Sequence, residues 1–316
     1  MIAFGFGVGV LVGLTGTGGG SVMTPLLVVV FGIKPVTAIG TDIAYAAVTK
    51  TLGGFRQWRA GRVDMALSTR MALGSVPGAI VGTTLLGALE RGLGSNLDTV
   101  VFALLGGALL LTGTALLARI FVLPRLATAE RTSAALGRRE RIGATVLGAF
   151  VGLVLGLTSA GRGALIAVGL ILFFRLVPQR VVGTDVFHAA IVLWAAAIAH
   201  VVSGDIDYGL AGTLLIGSLP GIWIGTSLSF RAPIGTLRIA LAAVLLAAGL
   251  GMLSKAGVDI PTPVLAAGPV IVIGLIVAGI SARSKRERRA PAAIPPPRAG
   301  LAADLLTEVE PVHVGV

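Results

Sequence analysis

One pattern is written twice in this chain. Gly40-Thr41-Asp42 recurs as Gly183-Thr184-Asp185, and the same offset of 143 positions holds without a gap over a long stretch. Gly13-Leu14-Thr15 matches Gly156-Leu157-Thr158, Pro35 matches Pro178, and Gly61 and Asp64 match Gly204 and Asp207. Gly74-Ser75-Val76-Pro77-Gly78 returns as Gly217-Ser218-Leu219-Pro220-Gly221, and Gly82-Thr83 as Gly225-Thr226. The shared residues are mostly Gly, Pro, Thr and Asp, while the apolar residues between them drift. Helix breakers and carboxylates duplicated within apolar sequence point to two related halves, the build of a secondary transporter.

Surface chemistry decides what such a repeat can fold into. Of the 316 residues 55% are hydrophobic and 12% charged, and the mean hydropathy is +0.96. A soluble domain carries about 25% charged residues, so this chain cannot present a water-facing surface. Apolar runs of roughly 15 to 23 residues succeed one another almost to residue 282. Eleven segments are expected, at 2–15, 20–32, 36–54, 66–89, 98–119, 143–158, 164–176, 180–202, 208–229, 234–254 and 263–282. The fold class is therefore an all-α polytopic membrane protein, with two inverted repeats of about five transmembrane or half-membrane helices and one extra C-terminal helix. Residues 1–120 make the first membrane repeat, 121–141 a basic cytoplasmic loop and 142–257 the second repeat. Residues 258–283 make the extra transmembrane helix and 284–316 a disordered cytoplasmic tail, whose Pro295-Pro296-Pro297 run is too proline-rich to pack. Segments 2–15 and 20–32 reach only roughly 20 Å against a hydrocarbon core of about 30 Å. Their counterparts 143–158 and 164–176 are similarly short, so each pair is expected to meet inside the bilayer at its glycine-rich link.

Loop charge sets the topology. The tail segment Arg283–Arg289 and the loop from Arg119 to Arg141 are strongly basic and hence cytoplasmic. Counting crossings puts Arg175, Arg180 and Arg231 inside with Asp205 and Asp207 outside, and Arg56, Arg59 and Arg62 inside with Glu90–Asp98 outside. The loop ending in Asp64 is arginine-rich, whereas its equivalent ending in Asp207 is acidic. An odd number of segments per half with opposite loop charge makes the halves inverted, the architecture of alternating access. The expected location is the cell (inner) membrane, multi-pass, with a cytoplasmic C-terminal tail.

Several classes fall away. The net charge of +11 is spread over short loops and the tail rather than a basic soluble module, so nucleic acid is not an expected partner. With no cysteine there is no disulfide, thiolate nucleophile or Cys-ligated metal. No metal-site or nucleophile–base spacing occurs, so neither a cofactor nor an enzymatic activity is expected. Ile2–Leu14 lacks a charged leader and cleavage site and reads as a retained segment. The expected partners are a small anion, a coupling proton or sodium ion, the lipid bilayer and further copies of the chain in a homo-oligomer.

Two constellations carry chemistry. The links Thr15-Gly16-Thr17-Gly18-Gly19-Gly20-Ser21 and Thr158-Ser159-Ala160-Gly161-Arg162-Gly163 each join two short segments. Glycines there free amide N–H groups at the start of the following helix, an anion site in miniature. Arg162 adds a full charge in the second half alone. The alternative is that the glycines only allow close helix packing and that Arg162 snorkels to the interface. The other constellation is Thr41-Asp42 with Thr184-Asp185. Each Asp lies seven residues beyond a proline at a helix start, roughly 10 Å along the axis, so both carboxylates are expected to approach the midplane from opposite sides. Intramembrane carboxylates are functional by default; the alternative is that each bonds a helix terminus or a facing threonine. His188, three residues after Asp185, shares its helix face and could relay protons or simply pack. The Pro77 and Pro220 motifs read as structural kinks beside small residues.

The run Gly-Thr-Gly-Gly-Gly followed by Pro25, then Gly32-Ile33-Lys34-Pro35-Val36-Thr37-Ala38-Ile39-Gly40-Thr41 and Gly61-Arg62-Val63-Asp64, resembles the TauE/SafE-type sulfite exporter family of membrane permeases. The resemblance covers roughly residues 5–280. It implies transport of a small sulfur-containing or organic anion such as sulfite, thiosulfate or a sulfonate. Substrate-binding candidates are Thr15, Thr17, Gly18, Gly19, Gly20, Thr41, Thr158, Ser159, Gly161, Arg162 and Thr184. Ion-coupling candidates are Asp42, Asp185 and His188. A cation transporter that uses the paired aspartates directly remains the alternative.

Overall fold

The computed structural model describes residues 1–15, 20–93, 96–121, 137–160, 162–229, 234–261, 263–264 and 274. Among them are ten helices: α1 (Ile2–Thr15), α2 (Gly20–Val29), α3 (Pro35–Arg59), α4 (Met65–Leu93), α5 (Leu97–Phe121), α6 (Arg138–Thr158), α7 (Arg162–Leu172), α8 (Pro178–Ser203), α9 (Tyr208–Ser229) and α10 (Ile234–Lys255). All ten belong to one unit, Met1–Ile273. They fall on the expected segments with ends shifted by a few residues. The eleventh segment, 263–282, lies almost wholly outside the described residues, as do the tail and most of the 121–141 loop.

Local chemistry starts and stops the helices in the same way in both halves. Pro35 and Pro178 occupy the first turns of α3 and α8, where the missing N–H costs nothing and φ is already helical. The left-handed turn after α3 falls on Gly61 (φ 66°) and its counterpart after α8 on Gly204 (φ 79°). The turn after α2 uses Gly32 (φ 65°), but the equivalent turn after α7 is made by Arg175 (φ 51°). A side chain in that region is strained by about 1–2 kcal/mol.

One expectation needs correction. The segment 143–158 looks too short to span, but α6 begins at Arg138 and has 21 residues, about 31 Å of helix. Arg138–Arg141 are polar enough to read as loop, yet they form its first turn, with the Gly137 N–H donating to Glu140 Oε2 at 2.9 Å. The helices α4, α5, α6, α8 and α9 are long and apolar enough to cross a membrane. Helices α1, α2 and α7 are shorter, with 14, 10 and 11 residues.

The halves are interleaved rather than side by side. Helix α1 of the first repeat packs on α9 of the second, and α6 of the second packs on α4 of the first. Both seams are parallel and built on glycine. A Cβ on Gly82 would meet Leu153 O at 2.5 Å, and one on Gly5 would meet Leu214 O at 2.8 Å. Gly74 and Gly78 close on Thr145 and Ala149, and Gly148, Gly152 and Gly156 close on Met71, Ser75 and Ala79. Four-residue spacing on both helices lets the backbones touch along their length. The proline motifs are part of these seams: α4 and α9 run through Pro77 and Pro220 without a break.

The equivalent helices α3 and α8 also pack together, as do α5 and α10, and each of these pairs is antiparallel. Gly40 near the start of α3 abuts Asp205 beyond the end of α8, while Gly183 near the start of α8 abuts Arg62 beyond the end of α3. Gly106 of α5 faces Gly249 and Leu253 of α10, and Gly113 faces Ala242 and Leu246. Apolar side chains cover the outside, with Trp223 78% and Val202 84% exposed, a surface suited to lipid rather than water. Polar side chains point inward instead: Thr41, Asp42 and Lys50 of α3 are all buried.

Candidate functional site

Asp42 sits on α3 with no exposed surface. Its Oδ2 accepts two hydroxyl hydrogen bonds, from Thr24 Oγ1 at 2.7 Å and Ser159 Oγ at 2.6 Å. Thr24 stands on α2 of the same repeat, and Ser159 is the residue that ends α6 of the other. Ser159 holds a left-handed conformation (φ 57°), with its N–H closing on Leu155 O at 2.7 Å. That turn swings its hydroxyl off the helix and toward Asp42. Thr158 donates back to Val154 O at 2.6 Å and accepts from the Ala160 N–H at 3.3 Å. Beside this link, a Cβ on Gly156 would lie 2.9 Å from Thr83 N of α4. The Thr83 hydroxyl is buried with no hydrogen-bond partner.

Further along α3, Tyr45 is buried against Ser218 of α9, although its hydroxyl falls short of full hydrogen-bond geometry. The equivalent pair in the other half is complete: His188 Nε2 lies 2.8 Å from Ser75 Oγ of α4. Both pairs join the third helix of one repeat to the fourth helix of the other. Ser75 and Ser218 come from the Gly-Ser-x-Pro-Gly motifs, so these motifs supply a polar contact as well as close packing.

The two Gly-Thr-Asp threonines also tie the repeats together. Thr41 Oγ1 accepts the Asp207 N–H at 3.1 Å and Thr184 Oγ1 accepts the Asp64 N–H at 2.9 Å. Each thereby ties its own repeat to the turn after the third helix of the other. Asp64 and Asp207 in turn accept from Leu67 N–H and Leu210 N–H at 3.0 and 2.9 Å, which caps α4 and α9. Beside one of these turns, His200 Nδ1 lies 3.0 Å from Asp205 Oδ2.

Asp42 and Asp185 do not share one site. Gly54 of α3 packs on Phe187 of α8 in antiparallel register, which places Asp185 level with the residues just beyond Gly54. Asp42 lies about 20 Å back along α3 at 1.5 Å per residue. The carboxylates therefore occupy opposite halves of the helix pair rather than meeting at its middle. Their surroundings differ too: the counterparts of Thr24 and Ser159 are Ala167 and Gly16. Thr24 was not legible from the repeat, because only one copy has it. Its sole signal is a hydroxyl next to Pro25 in an apolar segment.

Among the anion candidates, Thr17, Gly18, Gly19 and Gly161 lie outside the described residues. Thr15 and Gly20 are helical, as is Arg162 at the start of α7, but their side chains lie outside the described set.

Comparison with known proteins bears on this arrangement. The sequence model of the family described as "Sulfite exporter TauE/SafE" matches residues 1–252. "Probable membrane transporter protein YjnA" of Bacillus subtilis (strain 168) is 36% identical over 253 residues, covering 80% of this chain and 98% of that protein. "Probable membrane transporter protein YdhB" of the same organism is 26% identical over 248 residues, covering 78% of this chain and 97% of that protein. No solved structure matches the chain.

Proposed function

The chain belongs to the TauE/SafE sulfite exporter family, and from that premise we propose that it is a secondary transporter, a permease or exporter, of a small sulfur-containing or organic anion such as sulfite, thiosulfate or a sulfonate. It works by alternating access between two repeats inserted in opposite orientations, and an intramembrane carboxylate couples the anion to a proton or sodium ion.

The observation that carries this reading is Asp42 held by hydroxyls from both halves of the chain. A carboxylate in a membrane interior has a functional cause by default. One that bridges the repeats senses their relative position, as coupling requires. The antiparallel register of α3 with α8 and α5 with α10 supports inverted insertion, since inversion turns equivalent helices end for end. The anion would be held at the two links by Thr15, Thr17 and Arg162, with the amides of Gly18, Gly19, Gly20 and Gly161, while Thr158 and Ser159 shape the second link with hydroxyls that donate to Val154 O and Asp42. Arg162 starts α7 three residues after Ser159, so its charge and the positive end of that helix add together. Thr41 and Thr184 serve this site through the turns they hold.

The test is flux of labelled sulfite and thiosulfate into proteoliposomes, with and without imposed pH and sodium gradients. Saturable flux of either anion supports the reading. Alkali-cation flux in place of anion flux would favour the cation transporter, for which the Asp42 cluster offers the ion three oxygens.

A further inference from the structure

The seam between α4 and α6 is a ladder in which Met71, Ser75 and Ala79 close on Gly148, Gly152 and Gly156. Each step advances four residues on both helices, so the next would pair Thr83 with Ala160. Helix α6 ends at Thr158, however, and the chain turns away at the left-handed Ser159. Thr83 therefore stands on the seam face of α4 where α6 gives way to the α6–α7 link. Its N lies 2.9 Å from where a Cβ on Gly156 would be, which fixes this level.

The Thr83 side chain is fully buried, and its hydroxyl has no partner among the described residues. Helical threonines commonly bond back to a carbonyl one turn earlier. Thr84 does so to Val81 O at 3.0 Å and Thr112 to Ala108 O at 2.6 Å, but Thr83 does not. A buried hydroxyl left unmet costs free energy, and native structures keep few of them. The hydroxyls of the link itself are committed, since Thr158 donates to Val154 O and Ser159 to Asp42 Oδ2, both at 2.6 Å. Ala160 has none, although its counterpart in the first link is Thr17. Two residues on, Arg162 opens the 11-residue helix α7, whose N-terminus and guanidinium both favour an anion.

Resting on the transporter reading above, we propose that Thr83 is a substrate-binding residue, whose hydroxyl donates to an oxygen of the anion held between the end of α6 and the start of α7. The anion supplies the acceptor that the protein does not, and a hydrogen bond to a charged acceptor is stronger than one to a neutral group. Helix α4 belongs to the first repeat and the link to the second, so the bound anion touches both halves. The equivalent residue of α9 is Thr226, so the same hydroxyl recurs at the same step of the repeat.

The experiment follows melting in detergent and flux into proteoliposomes, with sulfite, thiosulfate and methanesulfonate as probes. Thr83→Val removes the hydroxyl at nearly constant volume. Without anion its melting point should equal or exceed that of the wild type, because no hydrogen bond within the protein is lost. With anion, its Kd from ligand-induced stabilisation and its KM should rise on the order of tenfold, as expected for one hydrogen bond to a charged group. Its kcat should change less than about twofold. Thr83→Ser keeps the donor and should stay within about threefold of wild-type affinity.

Unchanged Kd and KM in Thr83→Val, beside anion flux in the wild type, would overturn the proposal and leave the transporter reading standing. A Thr83→Val protein that melts well below the wild type without anion, or does not fold, would overturn it too, because the hydroxyl would then be structural. So would a Thr83→Ser protein as weak as Thr83→Val. If no probe stabilises or crosses with the wild type, the proposal and the transporter reading fail together.

Discussion

The indole N–H of Trp194 donates to Thr51 Oγ1 at 2.9 Å, and the two residues stand 143 positions apart. Each is therefore the other's counterpart in the repeat. A residue that touches its own counterpart lies on the axis relating the halves, so the axis passes between α3 and α8 at this point. The paired contacts Gly40 with Asp205 and Gly183 with Arg62 lie on either side of it.

The glycine seams should be intolerant in a position-specific way. A Cβ on Gly152 would meet Ser75 Cα at 2.7 Å, while Gly143 on the same helix has open space around it. Gly152→Ala should destabilise by about 1–3 kcal/mol through overpacking. Gly143→Ala should stabilise by about 0.5–1 kcal/mol through helix propensity. Thermal unfolding in detergent reads both, and similar melting points for the two variants would contradict the seam.

Arg175 occupies a turn that its counterpart Gly32 adopts freely. Arg175→Gly should raise stability by about 1 kcal/mol, and Gly32→Ala should lower it by a similar amount. The two effects should be of opposite sign in the same melting assay.

The hydroxyl oxygens of Thr41 and Thr184 accept backbone N–H groups across the repeat boundary. Thr41→Val and Thr184→Val should each cost about 0.6–2 kcal/mol, the range for interhelical hydrogen bonds in membranes. The KM for the anion should change less than about twofold, well under 1 kcal/mol. A large KM increase without a stability loss would assign these residues to the substrate instead.

Thr24 and Ser159 donate to one oxygen and should not act independently. Thr24→Val and Ser159→Ala should each destabilise by about 1–3 kcal/mol, because each removes a hydrogen bond to a charged group. Their double-mutant cycle should show a coupling of about 0.5 kcal/mol or more. Strict additivity would mean that the hydroxyls do not share Asp42 Oδ2.

Chain order alone made much of this fold legible. The ends of α9 and the start of α8 follow from apolar run length and from proline, because helix breakers and hydropathy act locally. Arg138–Arg141 deceived because charge at a helix start looks the same in sequence as charge in a loop. Thr24 stayed hidden for the opposite reason: its counterpart is Ala167, and unlike Ser159 it lies on no glycine-rich link that would single it out.

The sequence by itself determined that this is a duplicated, helical membrane protein, and it named Asp42 and Ser159 as candidates, since both inferences need only spacing and composition. Only the tertiary structure decided that α1 and α6 cross over to the opposite repeat, and that Asp42 receives hydroxyls from both halves while Asp185 sits about 20 Å away along α3. Partner choice between helices is set by which glycine faces close on which backbone carbonyls, a property of two surfaces together. No periodicity within one helix encodes it.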